Sequence, residues 1–349
     1  MSLLVVGSVA FDSVKSSFGE SGRILGGAAT YFALAASYFT QVRVIAVVGD
    51  DFTDKEEQVL VRRGVDTSGI VHEKGKSFFW AGEYGENVNE AKTLDTQLGV
   101  FGTFDPQIPE KFKDTKYLFL ANIDPVLQVN VRKQLPEAKF VGGDTMNYWI
   151  NGHRQNLNHM LREIDALLIN DAEAKMIAAD PSLARAAQKV LAMGPRALVI
   201  KHGEYGATVF FRDGAFGIGH HPFRAPTLPI ERVTDPTGAG DSFAGGFMGY
   251  IASQDKLTRE VFKRAMFYGG VMGSFAVEAF GTERLQNLSR ALRTRHIRAR
   301  TYLAPMAKCT AHPNLCPNSN DQWDADVEQP VGTQTKTGWT PDIGQAARA

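Results

Sequence analysis

Six short apolar runs constrain this chain more than any other feature. Leu3–Val6, Val42–Val48, Tyr117–Ala121, Lys139–Gly142, Ala166–Ile169 and Ala197–Lys201 are each closed off by polar residues or glycine. They are too short for helices and too continuously apolar for strands with one wet face. Between them lie stretches with helical spacing: Ala28–Phe39, Asp54–Arg63, Val126–Leu135, Asn151–Arg162 and Leu183–Met193. A strand that is apolar on both sides must be covered on both sides. The expected fold class is therefore α/β, a doubly wound, mostly parallel sheet.

One segment breaks the alternation. From Lys76 to Thr103 the chain reads as two antiparallel strands, Ser77–Tyr84 and Thr93–Phe101, around the polar turn Gly85–Lys92. A hairpin has no place inside a parallel core, so residues 76–103 should project as a small separate sheet. From Thr301 onward the chain is rich in Pro, Asn, Gln, Asp, Thr and Gly and loses all periodicity, so the domain is expected over 1–300 and a disordered or loosely attached tail over 301–349. Cys309, His312 and Cys316 in that tail are too few for a structural zinc site.

Charge excludes whole classes of partner. Lys+Arg and Asp+Glu stand at 38 each, so no net field draws the chain to nucleic acid or to a membrane surface. Both cysteines lie in the tail, which makes a reducing cytoplasm the simplest home. The uncharged stretch Ile24–Val42 carries Gly26, Gly27, Thr30, Ser37, Thr40 and Gln41, so it reads as a buried helix and not as a membrane span.

The strongest chemical signal is Asp235-Pro236-Thr237-Gly238-Ala239-Gly240-Asp241, followed by an apolar run that begins at Phe243. Small residues leave the first-turn N–H groups of a helix open to an anion, and the helix dipole adds positive potential there. A carboxylate beside such a pocket repels the anion. Asp241 therefore needs another task, and taking a proton from an attacking hydroxyl supplies one.

This motif resembles the C-terminal signature of the ribokinase-like (pfkB-type) carbohydrate kinase family, and the likeness extends over roughly residues 1–290. The resemblance implies transfer of the ATP γ-phosphate to a hydroxyl of a sugar or sugar-like molecule. Asp241 would be the base, and the backbone of Gly238, Ala239 and Gly240 the anion hole. It further implies that Asp12 holds sugar hydroxyls, that Gly26-Gly27 is the hinge of a lid, and that Lys76–Thr103 is that lid. Tyr31 stands near the place where many relatives carry asparagine.

Asp144 and Asn147 match an Asp-x-x-Asn element near the transfer path, and Asn170 with Glu173 an Asn-x-x-Glu element that orders Mg²⁺ through water. Lys201, Gly203 and Gly206 would wrap the nucleotide, and Gly270 would lie under the adenine. Thr237 and Asp235 match a loop that binds potassium in many relatives. The partners implied are a small sugar or nucleoside and, through the lid, a second copy of the chain as a homodimer.

The same residues have plainer readings. Asn170 with Glu173 is also a capping box, and Lys201 a solvated strand end. No Walker-type Gly-x-x-x-x-Gly-Lys-Ser/Thr occurs, and Phe243 spoils a dinucleotide fingerprint. A nucleoside kinase, with Phe79, Trp80 and Tyr84 against a base, and a non-catalytic nucleotide or sugar sensor are the alternatives.

Overall fold

The computed structural model describes residues 2–288, apart from 220 and 228. The tail from Thr301 lies outside the described residues. The first part of the chain forms β1 (Ser2–Val6), β2 (Ala10–Ser16), β3 (Gly19–Gly26), α1 (Ala28–Ala36), β4 (Gln41–Val48), α2 (Asp54–Val61) and β5 (Asp66–His72). Next come β6 (Phe79–Tyr84), β7 (Ala91–Gln97), β8 (Tyr117–Leu120), α3 (Pro125–Gln134), β9 (Phe140–Gly143), α4 (Asn147–Gly152) and α5 (Arg154–Glu163). The last are β10 (Ala166–Asn170), α6 (Asp171–Ala178), α7 (Leu183–Ala192), β11 (Ala197–Lys201), β12 (Ala207–Phe211), β13 (Phe223–Ala225), α8 (Ala239–Gln254) and α9 (Arg259–Ala276).

Among the described residues the large sheet has nine strands in the order β13-β12-β11-β10-β9-β8-β1-β4-β5. Neighbours from β11 to β5 run parallel, while β12 and β13 join antiparallel at one edge. Successive residues of β1 feed opposite faces. Leu3 and Val5 join a core with α1, α8 and α9, whereas Leu4 and Val6 join one with α3, α5, α6 and α7. Both faces are covered, as the continuous apolar runs demand, and the sheet is doubly wound. No described helix is long and apolar enough to cross a membrane.

Two expectations about local structure are corrected. The stretch Asn151–Arg162 does not form one helix. The chain turns at His153 (φ −129°, ψ 39°), and α4 and α5 lie on either side of it. Trp149 of α4 is committed elsewhere, donating from Nε1 to Asn122 Oδ1 at 3.0 Å.

The second correction concerns the small sheet, which has four strands in the order β3-β2-β6-β7 rather than a lone hairpin. β2 and β3 carry no strand pattern in the sequence, because charges, and in β3 glycines, interrupt them. They are held by pairing, Asp12 opposite Ile24 on one side and opposite Trp80 on the other. Asp12 thus sits in a strand of the small sheet. The hairpin strands are also shorter than expected. Ser77 instead fixes the loop after β4, accepting from Gly49 N–H and donating to Asp51, and Phe101 falls in a 3-10 turn.

Helix α8 is buried although glycine recurs along it at 240, 245, 246 and 249. Packing explains the choice. A Cβ on Gly245 would meet the Phe32 carbonyl oxygen of α1 at 2.4 Å, and one on Gly246 the Tyr268 carbonyl of α9 at 2.7 Å. The missing side chains let three helices approach closely, and Phe32 stacks on Phe119 of β8 beneath them with centroids 4.3 Å apart. Gly245→Ala gains about 1 kcal/mol of helix propensity. Overpacking costs about 1–3 kcal/mol and here the obstacle is backbone that cannot rotate away. The expected outcome is net destabilisation, read as a lower urea midpoint with unchanged slope.

Candidate active site

The C-terminal ends of the parallel strands gather the chemistry, as open α/β sheets do. β9 runs into Asp144, β10 into Asn170 and Glu173, and β11 ends at Lys201. Against them stands the start of α8, whose N-cap Gly238 is left-handed (φ 72°, ψ 1°) and has no capping side chain. Ala239 N–H turns back to the Pro236 carbonyl at 3.2 Å. The N–H of Gly240 has no carbonyl in a preceding turn to bond, so it and the helix dipole are open to an anion, whereas the Asp241 N–H bonds to its own carboxylate.

Each glycine of the motif makes room for a named side chain. A Cβ on Gly238 would lie 2.3 Å from the Tyr31 ring, and one on Gly240 would lie 2.9 Å from Lys201 Nζ. Lys201 is therefore not a solvated strand end. Its side chain is 17% exposed and its Nζ is 3.9 Å from Asp144 Oδ2. Burial works against its charge, but Asp144, Glu173 and Asp241 together hold its pKa above that of an ordinary lysine.

Carboxylates outnumber that cation. Burial pushes Asp241 up to about 7, Asp144 adds to the rise, and Lys201 opposes it. Glu173 is likewise pushed to about 7 by burial and by Asp144. Burial raises Asp144 too, against the pull of Lys201. The capping-box reading of the Asn170–Glu173 pair is what the hydrogen bonds show. Asn170 Oδ1 accepts from Glu173 N–H and Glu173 Oε2 accepts from Asn170 N–H, each at 2.8 Å, closing a capping box that also aims Glu173 at the cluster. Among the described residues no three His, Cys, Asp or Glu side chains converge closely enough to hold a metal by themselves. Asp144 and Glu173 are nonetheless hard oxygen donors, which fits Mg²⁺ brought in on phosphates and held mostly through water.

On the other side of the cleft Asp12 is 4% exposed. Burial raises it to about 7, while a hydrogen bond from Gly27 N–H works the other way, and Asp235 and Asp241 add repulsion. The diglycine is what admits it. A Cβ on Gly26 would fall 1.9 Å from Asp12 Oδ2, and Gly27 (φ 94°) has Ser8 carbonyl oxygen where its Cβ would be, at 2.5 Å. Gly26 ends β3 and Gly27 caps α1, so the pair joins small sheet to body. Tyr31 is buried in the same place, and its hydroxyl has no hydrogen-bond partner.

The small sheet leans on the motif itself. Tyr84 OH lies 3.2 Å from Thr237 Oγ1, and Ser16 donates to the Thr234 carbonyl at 2.7 Å. Asp235, fully buried, accepts from Thr237 N–H at 2.8 Å and from Gly281 N–H at 2.9 Å. Its first task is to tie this loop down. Gly203 (φ 56°) and Gly206 (φ 95°) bracket the turn after β11, with Gly206 tight against the Ala225 carbonyl. Gly270 on α9 faces open space toward Thr227. Asn147 opens α4 and is exposed, and no hydrogen bond ties it to the buried carboxylates.

One contact escaped the sequence. Asn89, in the turn between β6 and β7, donates to Glu204 at 3.3 Å and occupies the space that a Cβ on Gly203 would need. Nothing in a polar turn announces such a partner.

The profile of the pfkB family carbohydrate kinases matches residues 4–287. The chain belongs to that family. It is thus a kinase, a phosphotransferase with an alcohol group as acceptor. A cytidine kinase of Thermococcus kodakarensis is 29% identical over 255 residues, which cover 71% of this chain and 87% of that protein. The nucleoside kinase of Burkholderia thailandensis in complex with inosine superposes with a TM-score of 0.68 at 20% identity, covering 87% of this chain and 99% of that one. Aminoimidazole riboside kinase from Salmonella enterica, complexed with its riboside and an ATP analogue, gives 0.66 at 18%, with coverage of 84% and 99%. These two likenesses confirm the fold.

The buried charge has a consequence for stability. The folded pKa of Asp12 lies above its ordinary 3.8, so its contribution is most favourable below about pH 4 and is lost as pH rises through about 7. Asp12→Asn removes a penalty on the order of a few kcal/mol at pH 8. Its melting temperature should exceed wild type more at pH 8 than at pH 5. An equal difference at both would contradict the assignment.

Proposed function

We propose that this kinase transfers the γ-phosphate of ATP to a hydroxyl of a small sugar or sugar-like acceptor, with Asp241 as general base. One observation carries the reading: a carboxylate poised near neutrality sits in the first turn of an uncapped helix, faced by a buried lysine. Asp12 lies across the cleft as the group that accepts from acceptor hydroxyls, two of which one carboxylate can take. The acceptor O–H gives its proton to Asp241 while its oxygen bonds to the γ-phosphorus. The bond from that phosphorus to the bridging β–γ oxygen breaks, and ADP leaves with the electron pair. Gly240 N–H and Lys201 face the charge that spreads over the phosphoryl oxygens.

Mg²⁺ held through Glu173 and Asp144 would neutralise phosphate charge, which suits a pocket where carboxylates outnumber cations. The turn from Gly203 to Gly206 and the open face at Gly270 are where the rest of the nucleotide fits. A monovalent cation such as potassium beside Asp235 would share a carboxylate already holding two N–H groups, and so would stiffen the motif loop rather than touch the reacting atoms.

Asp241→Asn should keep nucleotide binding and lower kcat by about 10²–10⁴-fold, the usual share of a general base. Unchanged turnover would remove Asp241 from the role. For the wild type, kcat/KM should fall below about pH 7 as Asp241 takes up its proton. Lys201 lowers that pKa, so Lys201→Met should move the acid limb of the pH–rate profile to higher pH. A limb that stays in place would separate Lys201 from the base.

A further inference from the structure

The small sheet carries a feature that phosphoryl transfer does not use. Trp80 and Asp12 are register partners in parallel strands, so their side chains stand on the same face, about 4.8 Å apart across the sheet. That face is the one turned to the cleft, because Tyr84, four residues along β6, reaches Thr237 from it. Between Trp80 and Tyr84 on this face lies Gly82, whose absent side chain has a physical reason. A Cβ there would sit 2.1 Å from Cη2, 2.3 Å from Cζ2 and 2.9 Å from Cζ3 of the Trp80 ring. The six-membered ring of the indole is thus laid down over the backbone of β6. Its Nε1 donates to Thr93 Oγ1 of β7 at 3.2 Å, which fixes the rotation of the ring.

A tryptophan serving only as core needs neither device. Trp80 is not fully buried, and β7, to which it is pinned, is exposed along its whole length. One ring face is spent on backbone, while the side chain stays partly exposed on the same sheet face as Asp12. Aromatic faces take flat π-systems, and stacking tolerates any base.

We propose that Trp80 is a stacking platform for a planar ring carried by the acceptor, which makes the acceptor a nucleoside rather than a free sugar. This rests on the reading of Asp12 as the group that holds acceptor hydroxyls. In a ribofuranoside the base is attached to the carbon next to the 2′,3′-diol. A diol held at Asp12 therefore delivers the base to its neighbour on the sheet. Gly82 and Thr93 act through Trp80 as positioning residues.

The test is calorimetric binding to the full chain with a non-hydrolysable ATP analogue present, so that turnover plays no part. The probes are adenosine, uridine and methyl ribofuranoside. At least one nucleoside should bind about 5- to 150-fold more tightly than the methyl riboside, the range of one base–aromatic stack. Trp80→Leu should collapse that ratio toward one. Gly82→Ala, which keeps the tryptophan but lifts its ring, should do the same.

Equal affinity for all three probes, or a ratio that survives both substitutions, overturns the platform. Phosphorylation of the methyl riboside without any affinity gap would do so while leaving the kinase reading intact. Conversely, a Trp80-dependent gap in a protein that phosphorylates none of the three with ATP would keep the platform and overturn the assigned reaction.

Discussion

Like charges buried between the ends of the large sheet's strands, the start of α8 and the small sheet are the constraint on which this structure turns. Asp12, Asp144, Glu173 and Asp241 all have their charged forms disfavoured by burial, and Lys201 opposes this for three of them. Such a cluster works against folding, because each charge taken out of water costs several kcal/mol unless it is compensated. It persists because nine strands and two layers of helices fix the backbone that carries it. Of a phosphate ligand and an accompanying divalent cation, only the cation would relieve this crowding, since phosphate adds charge of the same sign as the carboxylates. Strain of this kind is expected at a working site.

The second theme is the exchange of a missing Cβ for a neighbour's side chain. Gly26 makes room for the Asp12 carboxylate, Gly238 for the Tyr31 ring, Gly240 for Lys201 and Gly82 for Trp80. Each pair couples residues far apart in sequence or on different elements, Gly82 and Trp80 excepted. At Gly238 the backbone demands glycine as well, since φ is 72° and a left-handed residue with a side chain is strained. These glycines are not loop filler. They set which side chains line the cleft.

The small sheet joins these themes. It is tied to the body by the diglycine, by Ser16 on the Thr234 carbonyl, by the bond from Thr237 to Tyr84 and by the contact of Asn89 with Glu204. It therefore touches both the Asp235–Asp241 motif and the turn after β11. A sheet anchored in this way can exclude water from both at once.

The sequence by itself determined the α/β class, the parallel core and the helix start at Gly238–Asp241. Continuous apolar runs admit only a strand covered on both faces, and small residues before an apolar helix leave a free N-terminus. It also carried Asp12, Glu173 and Lys201 as candidates, but not their surroundings. Whether Lys201 was solvated or buried depended on Gly240, 39 residues away, and no local pattern encodes that pairing. β2 and β3 escaped because charge, and in β3 glycine, erase the period-two pattern, and it is hydrogen bonding of β3 to β2 and of β2 to β6 that keeps them extended. Trp80 was legible as an aromatic in a hairpin, yet which face it took followed from its register with Asp12. Register, burial and shared charge are properties of contacts between distant segments, so the tertiary structure alone decided them.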